Sequence, residues 1–264
     1  MAPNGRVVAT TIMVPEDPKC PIIFEPGTRG NTSCADFAQP KSHLGVDQAA
    51  KQTIELRPAE LIVTPNQEFA EQLLKHGCTL KRHAHAMSLD LTAYPPEPNR
   101  PRQSKESQLT QSTQFIEKLT ADELFDSWSA AYPRGHPDYL PGRRAELTAE
   151  NLQPLLDRSL LGANHRSSLA VLKEGEVVAA IMISLREGEA PYGGPWLSEI
   201  WCDPRFQRQG IGRALLTMAI TDLIQDRFSS LGLAVSHDNP AMKLYKSLGF
   251  TQVSESWTVA LPTR

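Results

Sequence analysis

The sequence predicts an α/β (α+β) protein built on one mixed sheet, and three observations carry that expectation. From residue 113 onward strand-like and helix-like segments alternate. Ile211, Leu215, Ala219 and Leu223 recur at four-residue spacing within 210–226, flanked by Leu216, Ile220 and Ile224, and so wide an apolar stripe must pack on a sheet. Two β-branched, apolar arms, 168–173 and 176–186, meet at Glu174-Gly175 as a hairpin.

Taken in order, residues 1–52 hold clusters of Pro, Gly and Asn without a sustained period and read as an extension. Residues 53–93 read as strand, helix, glycine stop and strand. The order echoes the end of the chain: Asn66…Gly77 resembles Asn239…Gly249, with separations of 11 and 10. Residues 94–112 have linker composition, and Arg100, Arg102 and Lys105 there read as solvated charge because no aromatic residues interleave with them. Within 113–264, residues 114–119 suit a strand. Thr120 and Glu123 form a capping box that opens a helix through Tyr132. A Pro- and Gly-rich loop follows, then a helix near 149–161 with Pro154 in its first turn. After the hairpin come a strand at 195–202, the helix 210–226, a strand at 231–235, a helix at 239–248 ended by Gly249, and a last strand at 253–261.

Composition narrows the function. The 264 residues carry 27 basic and 30 acidic side chains, a net charge of −3, so no electrostatic footprint for nucleic acid is expected. The longest apolar run, Val177 to Ile183, is far too short to cross a bilayer. The first residues lack the apolar core of a signal peptide, and Cys20, Cys34, Cys78 and Cys202 form no CxxC, so a cytoplasmic protein with reduced thiols is expected. His76, Cys78, His83 and His85 fit no standard zinc spacing, and no metal is expected.

The chemistry concentrates in LSEIWCDPRFQRQGIGRALL, residues 197–216. A strand runs into a turn with Gly210 and Gly212, where an apolar helix starts. Glycine lets backbone amides approach a ligand closely, and the unpaired amides of a helix N-terminus favour anions. The segment reads as a phosphate cradle, or as a tight strand-to-helix turn and nothing more. GxGxxG and GxxxxGK[ST] are both missing, which sets aside Rossmann and Walker loops.

The full spacing, Cys202-x-Pro204-x-x-Gln207-x-x-Gly210-x-Gly212, resembles motif A of the GCN5-related N-acetyltransferase (GNAT) family. LAVSHDNPAMKLYKSLGF, residues 233–250, resembles the family's second motif, with Asn239, Tyr245, Gly249 and Phe250 in register. Cys202 stands where the family usually has valine, a small departure. The resemblance covers about 113–264. It implies a mixed, mostly antiparallel sheet flanked by helices, and the echo of Asn239…Gly249 at Asn66…Gly77 then reads 53–93 as a degenerate, non-catalytic half of the same fold.

The resemblance also implies acetyl-CoA as co-substrate. Its pantetheine arm would pair with the backbone of Ile200, Trp201 and Cys202, and its pyrophosphate would lie on the amides of Arg208, Gln209, Gly210, Ile211, Gly212 and Arg213. Gln207 and Asn239 would be motif side chains near it. Tyr245 falls where the family's general acid sits; by helical spacing alone it is equally a core aromatic. Glu199 is the first candidate for general base, on the same strand face as Leu197 and Trp201 by period two, or else a structural carboxylate. His237 is a second candidate, and ordered water a third. The amine pocket would map onto 132–142, containing His136, Asp138 and Tyr139, with PYGGPW (191–196) as an opposite wall.

The expected activity is acetyl transfer from acetyl-CoA to a primary amine of a small molecule or peptide, by direct attack in a ternary complex. The alternatives are a non-catalytic acyl-CoA sensor on the same fold and a protein lysine or N-terminal acetyltransferase. Neither membrane nor nucleic acid is an expected partner. A homodimer is compatible with the sequence, which does not specify it.

Overall fold

A computed structural model describes residues 22–24, 45–56, 61–94, 113–133, 135–138, 148–157 and 161–262. The extension outside 22–24 and 45–52, the linker from 95 to 112 with its three basic residues, and Tyr139 lie outside the described residues. The chain forms two compact units, one from residues up to Ala86 together with those from Ser254 onward, the other from Met87–Val253.

The first unit contains β1 (Ile22–Phe24), α1 (Val46–Leu56), β2 (Leu61–Thr64), α2 (Gln67–Lys75), most of β3 (Thr79–Asp90) and most of β10 (Thr251–Ala260). Its strands run in the order β1-β2-β10-β3, and β2 lies antiparallel to β1 and to β10, with Ile62 opposite Val259. Asn66 caps α2 by accepting the Phe69 N–H at 3.0 Å, and Gly77 ends the helix at φ +87°. Ala50, Ile62, Phe69, Ala70, Leu73, Cys78, Val259 and Leu261 form the core. Helix α1 was not expected. Its inward positions, Val46, Ala49, Ala50 and Ile54, do follow a helical period, but two are alanines, which carry almost no hydropathy signal.

In the second unit the order is β9-β8-β7-β6-β4, with β3 residues from Met87 beside β9 and β5 beside β7. These are β4 (Thr113–Phe115), β5 (Ala163–Asn164), β6 (Leu169–Lys173), β7 (Glu176–Arg186), β8 (Gly194–Cys202) and β9 (Ser230–Ser236). Pairings β4/β6, β5/β7, β6/β7 and β7/β8 are antiparallel, while β8/β9 is parallel. The class is the expected one, mixed and mostly antiparallel with flanking helices.

Helix α5 (Ile211–Gln225) packs Leu215, Leu216, Ala219, Ile220 and Leu223 on one face of the sheet, against Ile181, Ile183, Leu197, Leu233 and Val235. On the other face, α3 (Ala121–Ala131) packs Leu124 and Trp128 against Ala180, Met182, Trp196 and Trp201. The Thr120–Glu123 capping box that opens α3 is present, as expected.

Two elements differ from expectation. The strand expected at 114–119 ends at Phe115, because the chain turns into a 3-10 segment that buries Ile116. The helix expected at 149–161 is a 3-10 turn at Ala149–Asn151 followed by the short α4 (Gln153–Leu156), with 158–160 outside the described residues. Pro154 lacks the N–H that would join the two turns into one helix.

Candidate active site

Strands β8 and β9 pair only at Trp196↔Gly232 and Leu197↔Leu233. Gly232 suits that close approach, since a Cβ there would lie 2.5 Å from the Trp196 ring. Just beyond, β8 bulges. Met182 pairs with Glu199 and Ile183 with Leu197, so Ser198 is the extra residue, held by its Oγ donating to Met182 O at 3.1 Å and bonding Ser184 Oγ at 2.9 Å.

The bulge overturns the expected alternation. Glu199 does not share a face with Leu197, which packs under α5. It shares the α3 face with Trp201, whose indole N–H donates to Ser127 Oγ of α3 at 2.9 Å. One inserted residue reverses the parity of every residue after it.

At its far end β8 enters a built turn. Asp203 accepts from the Arg205 amide at 2.8 Å and from its guanidinium, which holds the carboxyl below its ordinary range. Gln207 Nε2 donates to Cys202 O at 3.1 Å. Arg208 and Gly210 both take left-handed backbone angles, φ +63° and +84°, and α5 starts at Ile211 with no side-chain cap. The amides of 210–213 therefore face outward at the positive end of a fifteen-residue helix. A Cβ on Gly210 or Gly212 would meet no protein atom within 4 Å, so open space lies over those amides, as a pyrophosphate requires. Arg213 is turned aside, donating to Ser247 Oγ at 2.7 Å.

Between the parted strands and α3, polar groups converge. Tyr132, the residue that ends α3, donates its hydroxyl to Glu199 Oε2 at 2.8 Å. Burial, and then the Glu199 charge, hold that phenol well above its ordinary pKa, so it remains a donor. The His136 ring stands edge-on to Tyr132, 5.1 Å between centroids. Its Nδ1 accepts the Asp138 N–H at 3.1 Å, which fixes the proton on Nε2. Asp138 accepts from Ser236 Oγ, and from Asn239 Nδ2 at 2.6 Å; Asn239 Oδ1 in turn accepts the Ala241 N–H at 2.8 Å.

Tyr245 lies on α6 (Ala241–Ser247), 5 % exposed and packed on Phe250. Burial, followed by the charges of Asp138 and Glu199, raises its pKa strongly, so both carboxylates act on its hydroxyl. The Cys202 thiol is pushed up to about 11 by burial and by Asp203.

The structure thus gathers Glu199, Asp138, Asn239, His136 and Tyr245 around the end of the β8–β9 gap. Ile200, Trp201 and Cys202 lie along the opened strand, and Gln207 to Arg213 form the turn at its mouth. His237 is exposed, just past β9. The 191–196 segment lies at the other end, where Trp196 pairs with Gly232. His76 pairs with Asp47 at 2.7 Å and Cys78 is in a hydrophobic core, so among the described residues these two do not join His83 and His85 in one ligand set. Sequence reasoning placed Tyr132 only as the first residue of the acceptor loop, without its bond to Glu199, and missed Ser236. The only signal for Tyr132 was its place four residues before His136, at the end of a capped helix.

Residues 121–250 match the family model described as "Acetyltransferase (GNAT) family". Over 59 residues, 22% of this chain, the sequence is 44% identical to a ribosomal protein bS18-alanine N-acetyltransferase of Escherichia coli strain K12, covering 40% of that protein. The chain therefore spans about two-fifths of the length of the curated relatives it matches. The crystal structure of a GCN5-related N-acetyltransferase from Sphaerobacter thermophilus superposes with a TM-score of 0.50 at 17% identity, over 79% of this chain and 62% of that one. A functionally unknown conserved protein from Staphylococcus epidermidis does so with a TM-score of 0.52 at 9% identity, over 83% and 82%. At such identities the likeness is one of fold.

Proposed function

Residues 121–250 belong to the GNAT family, and on that premise we propose that the chain transfers an acetyl group from acetyl-CoA to a primary amine of a small molecule or peptide, by direct attack in a ternary complex. One observation carries the reading: a carboxylate, Glu199, and a buried phenol, Tyr245, lie beside a bulged, opened strand whose mouth is a glycine-built helix start.

Acetyl-CoA supplies an activated thioester, and the chain's own residues supply position and proton transfer. The backbone of Ile200, Trp201 and Cys202 lies on the stretch of β8 beyond its pairing with β9, along the gap, and the amides from Arg208 to Arg213 receive negative charge. Gln207 spends its amide on Cys202 O and so braces that edge. Glu199, held by Tyr132, takes the proton of the incoming amine directly or through water. Tyr245 stays protonated at neutral pH and donates to the sulfur as it leaves. Cys202 stays a thiol at that pH, a poor nucleophile, which favours direct transfer over an acyl-cysteine route. His136 belongs to the loop that would face the acceptor.

The relative's action on an alanine amino group favours an α-amine acceptor at a peptide N-terminus. Such an amine, with a pKa near ~8 against ~10.4 for lysine, asks little of the base. The experiment is CoA thiol release from acetyl-CoA with an alkylamine, a lysine peptide and an alanine-initiated peptide, beside calorimetric titration of acetyl-CoA. Amine-dependent release supports the reading. Tight binding with no release on any amine or protein extract would replace it with an acyl-CoA sensor.

A further inference from the structure

Asp138 occupies the loop expected to face the amine, yet both its carboxylate oxygens are engaged from the opposite side. Ser236 Oγ donates to Oδ1, and Asn239 Nδ2 donates to Oδ2 at 2.6 Å. Ser236 and Asn239 are the two ends of the turn joining β9 to α6, a turn closed by Asn239 N–H donating to Ser236 O at 3.0 Å. The carboxylate therefore bridges that turn from outside.

Asn239 transmits the grip. Its Oδ1 accepts the N–H of Ala241, the first residue of α6, so its amide is oriented with Nδ2 toward Asp138. Tyr245 follows Ala241 by four residues, on the same helical face. Helix α6 has seven residues and Pro240 at its N-cap with no side-chain bond, so its position depends on its surroundings: Arg213 holds its last residue, Ser247, and the Asp138 clamp holds its start. What fixes its start also sets where the phenol points.

We propose that Asp138 is a positioning residue for Tyr245: by clamping Ser236 and Asn239 it fixes the start of α6 and thereby aims the Tyr245 hydroxyl at the gap. The inference rests on the reading of Tyr245 as proton donor. A carboxylate suits the clamp because both its oxygens accept with a full charge, whereas Asp138→Asn keeps one accepting oxygen, obliges the Ser236 hydroxyl to turn and accept from the NH2, and removes the charge that strengthens both bonds.

The test has two parts. Hydrogen exchange over 237–248 needs no acceptor. Asp138→Asn should speed exchange there and leave α5 unchanged, while Tyr245→Phe should not alter it. Single-turnover transfer from acetyl-CoA is then measured with an alanine-initiated hexapeptide and with butylamine. Asp138→Asn should lose about tenfold, part of the ~10²-fold that a positioned donor supplies, with acetyl-CoA affinity within about twofold of wild type. Adding Asp138→Asn to Tyr245→Phe should cost almost nothing further, because both act on one step. Ser236→Ala removes one grip more gently and should give a smaller loss of the same kind, should Asp138→Asn fail to fold. Unchanged exchange at 237–248, additive losses in the double variant, or a raised KM for the amine with kcat intact would each overturn the proposal, the last by making Asp138 an acceptor contact. If Tyr245→Phe alone transfers at the wild-type rate, the acid reading itself has failed, and that outcome is distinct from additivity.

Discussion

The Tyr132 hydroxyl and the Glu199 carboxylate meet at 2.8 Å, across 67 positions of sequence, where the end of α3 lies over the bulged strand β8. The bond exists because the bulge at Ser198 turns Glu199 onto the α3 face and because α3 stops at Tyr132, which frees its side chain to reach back. A phenol that stays protonated gives the carboxylate a fixed donor and orients it.

That relationship predicts a graded pair of losses. Glu199→Gln should slow single-turnover transfer by ~10²-fold if the carboxylate takes the amine proton. Tyr132→Phe keeps the ring and should cost about tenfold, near the low end of the ~1.5–3 kcal/mol that a hydrogen bond to a charged group is worth. Acetyl-CoA affinity, read by calorimetry, should change little in either. Equal activity in Glu199→Gln and wild type would leave water as the base.

The glycine turn predicts a separation between two substitutions. Gly212 lies in a right-handed helical turn with open space beyond its Cβ, so Gly212→Val should fold normally and weaken acetyl-CoA binding at least tenfold, or ~1.4 kcal/mol. Gly210 sits at φ +84°, so Gly210→Val should lose affinity and also about 1–2 kcal/mol of stability. Calorimetry with a thermal melt reads both, and undiminished affinity in Gly212→Val would move the cofactor away from this turn.

Ser127 and Trp201 tie α3 to β8 inside the core, with 2 % and 3 % of their surfaces exposed. Ser127→Ala would leave the indole N–H buried without its acceptor, at a cost of about 1–3 kcal/mol. A lowered thermal midpoint is expected, with a larger drop than at a partly exposed serine such as Ser129; equal midpoints would mean that the indole finds another partner.

Acid should unfold the chain through its paired carboxylates. Hydrogen bonds from Arg205 hold Asp203, and those from Arg166 hold Asp226, below the ordinary carboxylate range. A depressed folded-state pKa contributes stability above the unfolded value of ~3.9 that is lost as pH falls through the folded one. The thermal midpoint should therefore fall between about pH 5 and pH 2, and Asp203→Asn should flatten part of that slope. An unchanged slope would assign it to other groups.

The sequence made the second unit legible wherever period and punctuation coincided. The α5 stripe, the Glu174-Gly175 hairpin and the Thr120–Glu123 box each carry their own signal, and each forms as expected. It was silent where a signal was small or cancelled. The alanines of α1 hide its period, Pro154 divides one expected helix, and the Ser198 bulge inverts a strand face with no residue to announce it. The glycine turn was readable as main-chain chemistry. The partners of Glu199 and Asp138 were not, because Tyr132 and Ser236 reach them through tertiary packing alone.

Single-turnover acetyl transfer by Tyr245→Phe tests the central claim most directly. The ring packs on Phe250, and its hydroxyl makes no hydrogen bond among the described residues, so stability should be nearly unchanged. A donor used only as the sulfur leaves acts in the transition state, so the rate should fall by ~10²-fold while acetyl-CoA affinity stays as in the wild type. Transfer at the wild-type rate would contradict the account and strip Tyr245 of its role.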